Sequence, residues 1–154
     1  MAAIIDINED DYSLMRKAFA ETSFCKASDS AFSVGSIVTT MDREIVSTGY
    51  SREFGRNWHA EEVAIEKACR KITSLDNCIL YSTLEPCGER SSRPVSCSKL
   101  ILKKSIPIVI FAESEPDSFV AAPKGIRLLT ANGVQVFKLD GFECQFEQHN
   151  NHIR

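Results

Sequence analysis

Residues 9–25, EDDYSLMRKAFAETSFC, place Tyr12, Met15, Ala18 and Phe19 at three- and four-residue spacing behind an acidic start. That pattern predicts an amphipathic helix whose first-turn acids suit the positive end of the helix dipole. The period then changes. FSVGSIVTTMD and EIVSTGY read as two strands joined at Asp42-Arg43, a hairpin. From His59 to about Ile72 the spacing is helical again. NCILYSTL is short, apolar and β-rich, which predicts a buried strand, and Cys97 to Lys104 reads as a short helix. IPIVIFA is a second buried strand, with its proline near the start, where it is tolerated. Residues 124–132 predict a helix that Gly133 stops, and VQVFKL a last strand.

The order α-β-β-α-β-α-β-α-β predicts a three-layer α/β/α sandwich around a five-stranded mixed sheet. The strands 77–84 and 106–112, linked through a helix, should lie parallel and adjacent through a right-handed crossover. With no internal repeat, low-complexity tract or linker, residues 1–139 read as one domain and residues 140–154 as a C-terminal tail with helical potential.

Composition narrows the class. The 154 residues are 44% hydrophobic, enough for one core without covalent staples. A net charge of -3 argues against a broad nucleic-acid surface. No apolar run reaches the roughly 18–20 residues of a membrane span. The start MAAIIDINEDDY lacks a signal-peptide pattern, so the expected compartment is the cytosol, with the nucleus as the other option. The six cysteines then read as reduced thiols or metal ligands rather than disulfides. Cys69 and Cys78 read as core residues.

Three residues with metal-ligating side chains are expected at one end of the sheet, where strand carboxyl ends and helix N-termini meet. His59 opens one helix, Cys87 follows the strand 77–84, and Cys97 opens the next helix. Thiolate and imidazole suit zinc, and three protein ligands leave a fourth position open, the arrangement of a catalytic site. Glu61, two residues after His59, serves the same site only if the helix is approached end-on; there it can take and return a proton.

His59-Ala60-Glu61 with Pro86-Cys87 and the later Cys97 resembles the zinc-dependent cytidine and deoxycytidylate deaminase superfamily, whose signature is H-x-E followed by P-C-x-x-C. The resemblance implies that His59, Cys87 and Cys97 ligate Zn²⁺ and that Glu61 shuttles the proton. One departure narrows it: GERSSRPVS separates the two cysteines where two residues are usual. With AFSVGSIV, STGYSRE, HAEEVAIEK and GIRLLTANGVQV, this looks like the pyrimidine deaminases of riboflavin biosynthesis, in their eukaryotic, fungal version.

That resemblance implies a phosphorylated aminopyrimidine substrate, 2,5-diamino-6-(ribosyl- or ribitylamino)-4(3H)-pyrimidinone 5'-phosphate, hydrolysed at its ring amino group, with the ribityl form expected for the eukaryotic type. It places Ser51, Arg52, Glu53, Asn57 and Glu85 among the substrate contacts. Arg90 and Arg93 are offered to the phosphate, because planar guanidinium donors bind two oxygens at once. Where bacterial relatives place a base-contacting asparagine, this chain reads SAFSVG, with Ala31 and Phe32. A homodimer is expected by the same analogy. Two other readings share the residues: a cytosine, cytidine or deoxycytidylate deaminase, and a catalytically silent zinc-binding partner subunit. In the tail, Cys144, His149 and His152 read as part of an exposed, frayed helix rather than a second metal site, with a tail folded over the pocket as the other option.

Overall fold

The computed structural model describes residues 5–89, 95–114 and 124–152. The first helix, α1, spans Glu9–Glu21 and continues as a 3₁₀ turn, Thr22–Phe24. Its start is fixed by a capping box. The Asn8 side chain accepts from Asp10 N–H, and Asp11 accepts from Asn8 N–H at 2.8 Å. The hairpin follows as β1, Gly35–Thr40, and β2, Ile45–Tyr50, turning through Arg43 in the left-handed region. Then come α2 (Ala60–Lys71), β3 (Cys78–Leu84), α3 (Cys97–Lys103) and β4 (Ile108–Glu113). The chain closes with α4 (Lys124–Ala131), β5 (Gln135–Lys138) and α5 (Glu143–Asn150).

The five strands form one mixed sheet in the order β2-β1-β3-β4-β5. β1 runs antiparallel to both β2 and β3, while β3–β4 and β4–β5 are parallel. Two apolar clusters cover its faces. One joins Met15, Ala18 and Phe19 of α1 to Ile79, Tyr81, Phe142 and Phe146. The other joins Ala64, Ile65 and Ala68 of α2 to Leu80, Ile101 of α3 and Leu129 of α4. The predicted three layers and the parallel pair of buried strands are therefore as expected.

β3 is buried along its whole length, so its two faces divide by residue parity. Ile79 and Tyr81 point to the α1 side, Cys78 and Leu80 to the α2 side. β2 meets α2 closely at Gly49, where an added Cβ would lie 2.6 Å from Ala60 O. That contact seats the first turn of α2 beside the carboxyl end of β3.

Two expectations need correction. Cys69 is exposed, whereas Cys78 is buried as predicted. The buried stripe of α2 ends at Ala68, and the next residue is rotated about 100° away from it. The tail helix is not an exposed, frayed one: Phe142, Phe146 and Asn150, four residues apart, are all buried. Its polar composition masked a single inward stripe.

Candidate active site

His59 is the N-cap of α2, with extended backbone, and its N–H donates to Glu62 at 2.9 Å. Cys87 lies just beyond β3. Cys97 opens α3, capped by Ser96, whose hydroxyl accepts from Lys99 N–H. The cysteine loop is tied to α3 by Ser98, whose N–H donates to Cys87 O at 3.1 Å and whose hydroxyl donates to Pro86 O at 3.3 Å. At Gly125 an added Cβ would sit 2.2 Å from Pro86 O, so the start of α4 also presses on this loop.

These elements bring His59, Cys87 and Cys97 together. Their ligating atoms lie within 4.8 Å of one another, the one such cluster among the described residues. His59 Nδ1 is 3.3 Å from Cys97 Sγ and 3.7 Å from Cys87 Sγ. Cys97 N–H points at Cys87 Sγ, 3.3 Å away. The two thiols behave as one titrating pair. The hydrogen bond from Cys97 holds Cys87 well below its ordinary value, and the same bond, with burial, pushes Cys97 up. Two sulfurs and an imidazole nitrogen, converging at the edge of a cavity, fit zinc with a position left open.

Glu61, in the first turn of α2, is almost fully buried. Its Oε1 accepts from Ser82 Oγ at 2.8 Å. Burial raises its carboxyl pKa; the His59 charge and the Cys97 and Ser82 hydrogen bonds oppose this without cancelling it. The helix is met end-on, so residues 59 and 61 reach one site despite their spacing.

A cavity of about 450 Å³ opens in front of these groups. His59, Glu61 and Cys87 line it, as do Ala31, Phe32 and Val34 from the segment before β1. Of the expected substrate contacts, Ser51, Arg52, Asn57 and Glu85 line the cavity as well. Glu53 does not. It is paired with Lys67 and accepts from Tyr50 N–H at 3.3 Å. The Arg52 guanidinium is engaged by the main chain, donating to Lys26 O at 2.8 Å and Phe32 O at 3.1 Å, on a left-handed backbone. Ser51 Oγ accepts from Val34 N–H at 2.9 Å. Arg90 and Arg93 lie outside the described residues.

Sequence reasoning missed Ser82, although the alternation of β3 puts it on the α2 face with Cys78 and Leu80. It also missed Arg56, an exposed cation at the cavity, and the contacts behind Phe32. Those contacts come from α5, and no local pattern announces them.

The family model of the cytidine and deoxycytidylate deaminase zinc-binding region matches residues 8–113. The chain is 45% identical over 133 residues to a diaminohydroxyphosphoribosylamino-pyrimidine deaminase of Schizosaccharomyces pombe, covering 85% of this chain and 32% of that one. It is 38% identical over 103 residues to the riboflavin biosynthesis protein RibD of Bacillus amyloliquefaciens, covering 67% of this chain and 26% of that one. The chain thus spans about a third or less of the curated relatives it matches. The crystal structure of Aspergillus oryzae Rib2 deaminase in complex with DARIPP superposes with a TM-score of 0.74 at 25% identity, covering 92% of this chain and 90% of that one. On the family-model match over more than half of its length, the chain belongs to the cytidine and deoxycytidylate deaminase zinc-binding family.

Proposed function

We propose that the protein is the pyrimidine deaminase of riboflavin biosynthesis, acting on 2,5-diamino-6-ribitylamino-4(3H)-pyrimidinone 5'-phosphate. The observation that carries this reading is a buried Glu61 at the wall of an open cavity, beside a three-donor cluster. The 45% identity to a relative named as a diaminohydroxyphosphoribosylamino-pyrimidine deaminase supports a phosphorylated diaminopyrimidine as the substrate class, and the choice of the ribityl form is part of the proposal. In this reading His59, Cys87 and Cys97 hold zinc. When bound in such an open site, zinc supplies Lewis acidity and an activated water.

The chain's own groups do the rest. Glu61 takes a proton from the attacking water at its carboxylate and returns it to the departing amino nitrogen, so the amino group leaves as ammonia and a ring carbonyl forms. Ser82 orients the Glu61 carboxylate through Oε1 while it moves the proton. The cavity walls hold the ring flat against the reacting groups and limit solvent. Ser51, Asn57 and Glu85 are the proposed substrate contacts, and Arg90 and Arg93 the proposed phosphate contacts. Arg52 acts in this reading through Phe32 and Lys26, which its guanidinium holds. Glu53, paired with Lys67, supports α2 rather than touching substrate.

Among the described residues no helix is long and apolar enough to cross a membrane. A cytoplasmic location and a homodimer complete the proposal. The test is ammonia release from the ribityl phosphate, the ribosyl phosphate, deoxycytidylate, cytidine and cytosine, before and after chelation. Turnover of the ribityl phosphate, lost on chelation and restored by zinc, is the expected result. Turnover of deoxycytidylate or cytosine in its place would overturn the substrate assignment.

A further inference from the structure

The substrate-facing segment 28–34 forms no regular helix or strand in its own right. Its main chain is held residue by residue from two directions. From the α2 side, Arg52 donates to Phe32 O, and Ser51 Oγ accepts from Val34 N–H. A second hold comes from the end of the chain. Asn150 Oδ1 accepts from Ser33 N–H at 2.6 Å, and Asn150 Nδ2 donates to Ser33 O at 3.2 Å. One amide therefore satisfies both main-chain groups of a residue 117 positions away. The same Nδ2 donates to Phe146 O, which fixes the side chain on its own helix. His152 Nε2 donates to Ala31 O at 2.9 Å. The Phe146 ring packs on the Phe32 ring, with centroids 5.7 Å apart.

Ala31, Phe32 and Val34 line the cavity, and α5 touches none of it. We infer that α5 is a rear brace for the substrate-facing wall, and that Asn150 is a positioning residue for the deamination reaction. The helix does not fold over the site. It acts from behind, by fixing where Ala31 and Phe32 meet the bound ring. The inference rests on the proposed function for its kinetic consequence, but the brace itself does not depend on the substrate.

The test uses the full chain with Asn150→Ala, Asn150→Asp and, as a control on the exposed face of α5, Gln148→Ala. For Asn150→Ala, KM for the ribityl phosphate should rise about tenfold with kcat changed less than about twofold, the scale of one or two lost hydrogen bonds. Zinc content should stay at the wild-type value. A purely structural role would lower the folded fraction, and with it apparent kcat, while leaving KM unchanged. Asn150→Asp keeps the accepted bond but turns an oxygen toward Ser33 O and Phe146 O in place of the donor, so KM should rise at least as far as in the alanine variant; whichever of the two folds carries the test. Amide exchange supplies a second readout. Exchange at Ser33 should speed up about tenfold or more in Asn150→Ala, while β1 and β3 stay protected. Unchanged KM would overturn the positioning role, and unchanged exchange at Ser33 would overturn the brace. Were the wild type to turn over none of the aminopyrimidines, the proposed function would fail, while exchange would still decide the brace.

Discussion

Asp11 and Glu61 are both carboxylates withdrawn from solvent, on opposite faces of one sheet, and their surroundings differ in kind. Asp11, on α1, is closed on every side. Arg43 donates to both of its oxygens, at 2.8 and 3.0 Å, Tyr81 O–H donates to Oδ1 at 2.5 Å, and Asn8 N–H donates to Oδ2. Burial alone would raise its pKa, but the Arg43 and Tyr81 hydrogen bonds outweigh it and hold the carboxyl below its ordinary value. Glu61 has Ser82 and the cysteine cluster around it, and it lines a cavity. The first arrangement locks α1, the hairpin turn and β3 together. The second sets a carboxylate at a cavity wall against the cysteine cluster, which is where a proton carrier is needed. Burial of an acid is therefore no sign of function here; a place in a cavity wall beside metal-ligating side chains is.

Substitution can break this contrast at either end. Glu61→Gln keeps the shape and loses the base. It should cost about a hundred- to ten-thousandfold in kcat, with zinc content unchanged and thermal stability no lower. Steady-state kinetics and metal analysis on one preparation check both halves. Asp11→Asn should do the reverse. It leaves Arg43 without its partner and should cost about 3 kcal/mol in urea unfolding, with kcat per folded molecule unchanged. The pH dependence follows from the depressed pKa. The stability Asp11 contributes is present in full above the unfolded value near 3.9 and is lost as pH falls through the lower folded value. Asp11→Asn should flatten that acid limb, which unfolding measured from neutral pH down to pH ~2 will read. Ser82→Ala is the mildest change. It removes one hydrogen bond to Glu61, worth about 1 kcal/mol, and should lower kcat about fivefold without loss of zinc. An unchanged kcat would mean that Ser82 does not orient the carboxylate.

The chemistry was legible in the sequence because it is local. His59 and Glu61 sit in one helical turn, and Pro86-Cys87 directly follows a strand whose apolar run is unmistakable. The mixed sheet was legible for the same reason, from two unlike periods that alternate cleanly. What was hidden depends on distance. The Asn150–Ser33 pair spans nearly the whole chain, and α5 carries too few apolar residues for its inward stripe to stand out. Arg52 and Glu53 look like pocket charges by position. A left-handed backbone turns the first toward Lys26 O, and the second meets Lys67 from α2. Ser82 was within reach, since parity along β3 places it opposite Glu61. Cys69 was misjudged by a single helical step.

The most direct test of the account is product analysis after turnover of the ribityl phosphate by the zinc-loaded protein in heavy-oxygen water. The account predicts one ammonia per product and one solvent oxygen in the new ring carbonyl. Ammonia-free product, or no turnover of this substrate by fully zinc-loaded protein, would contradict it.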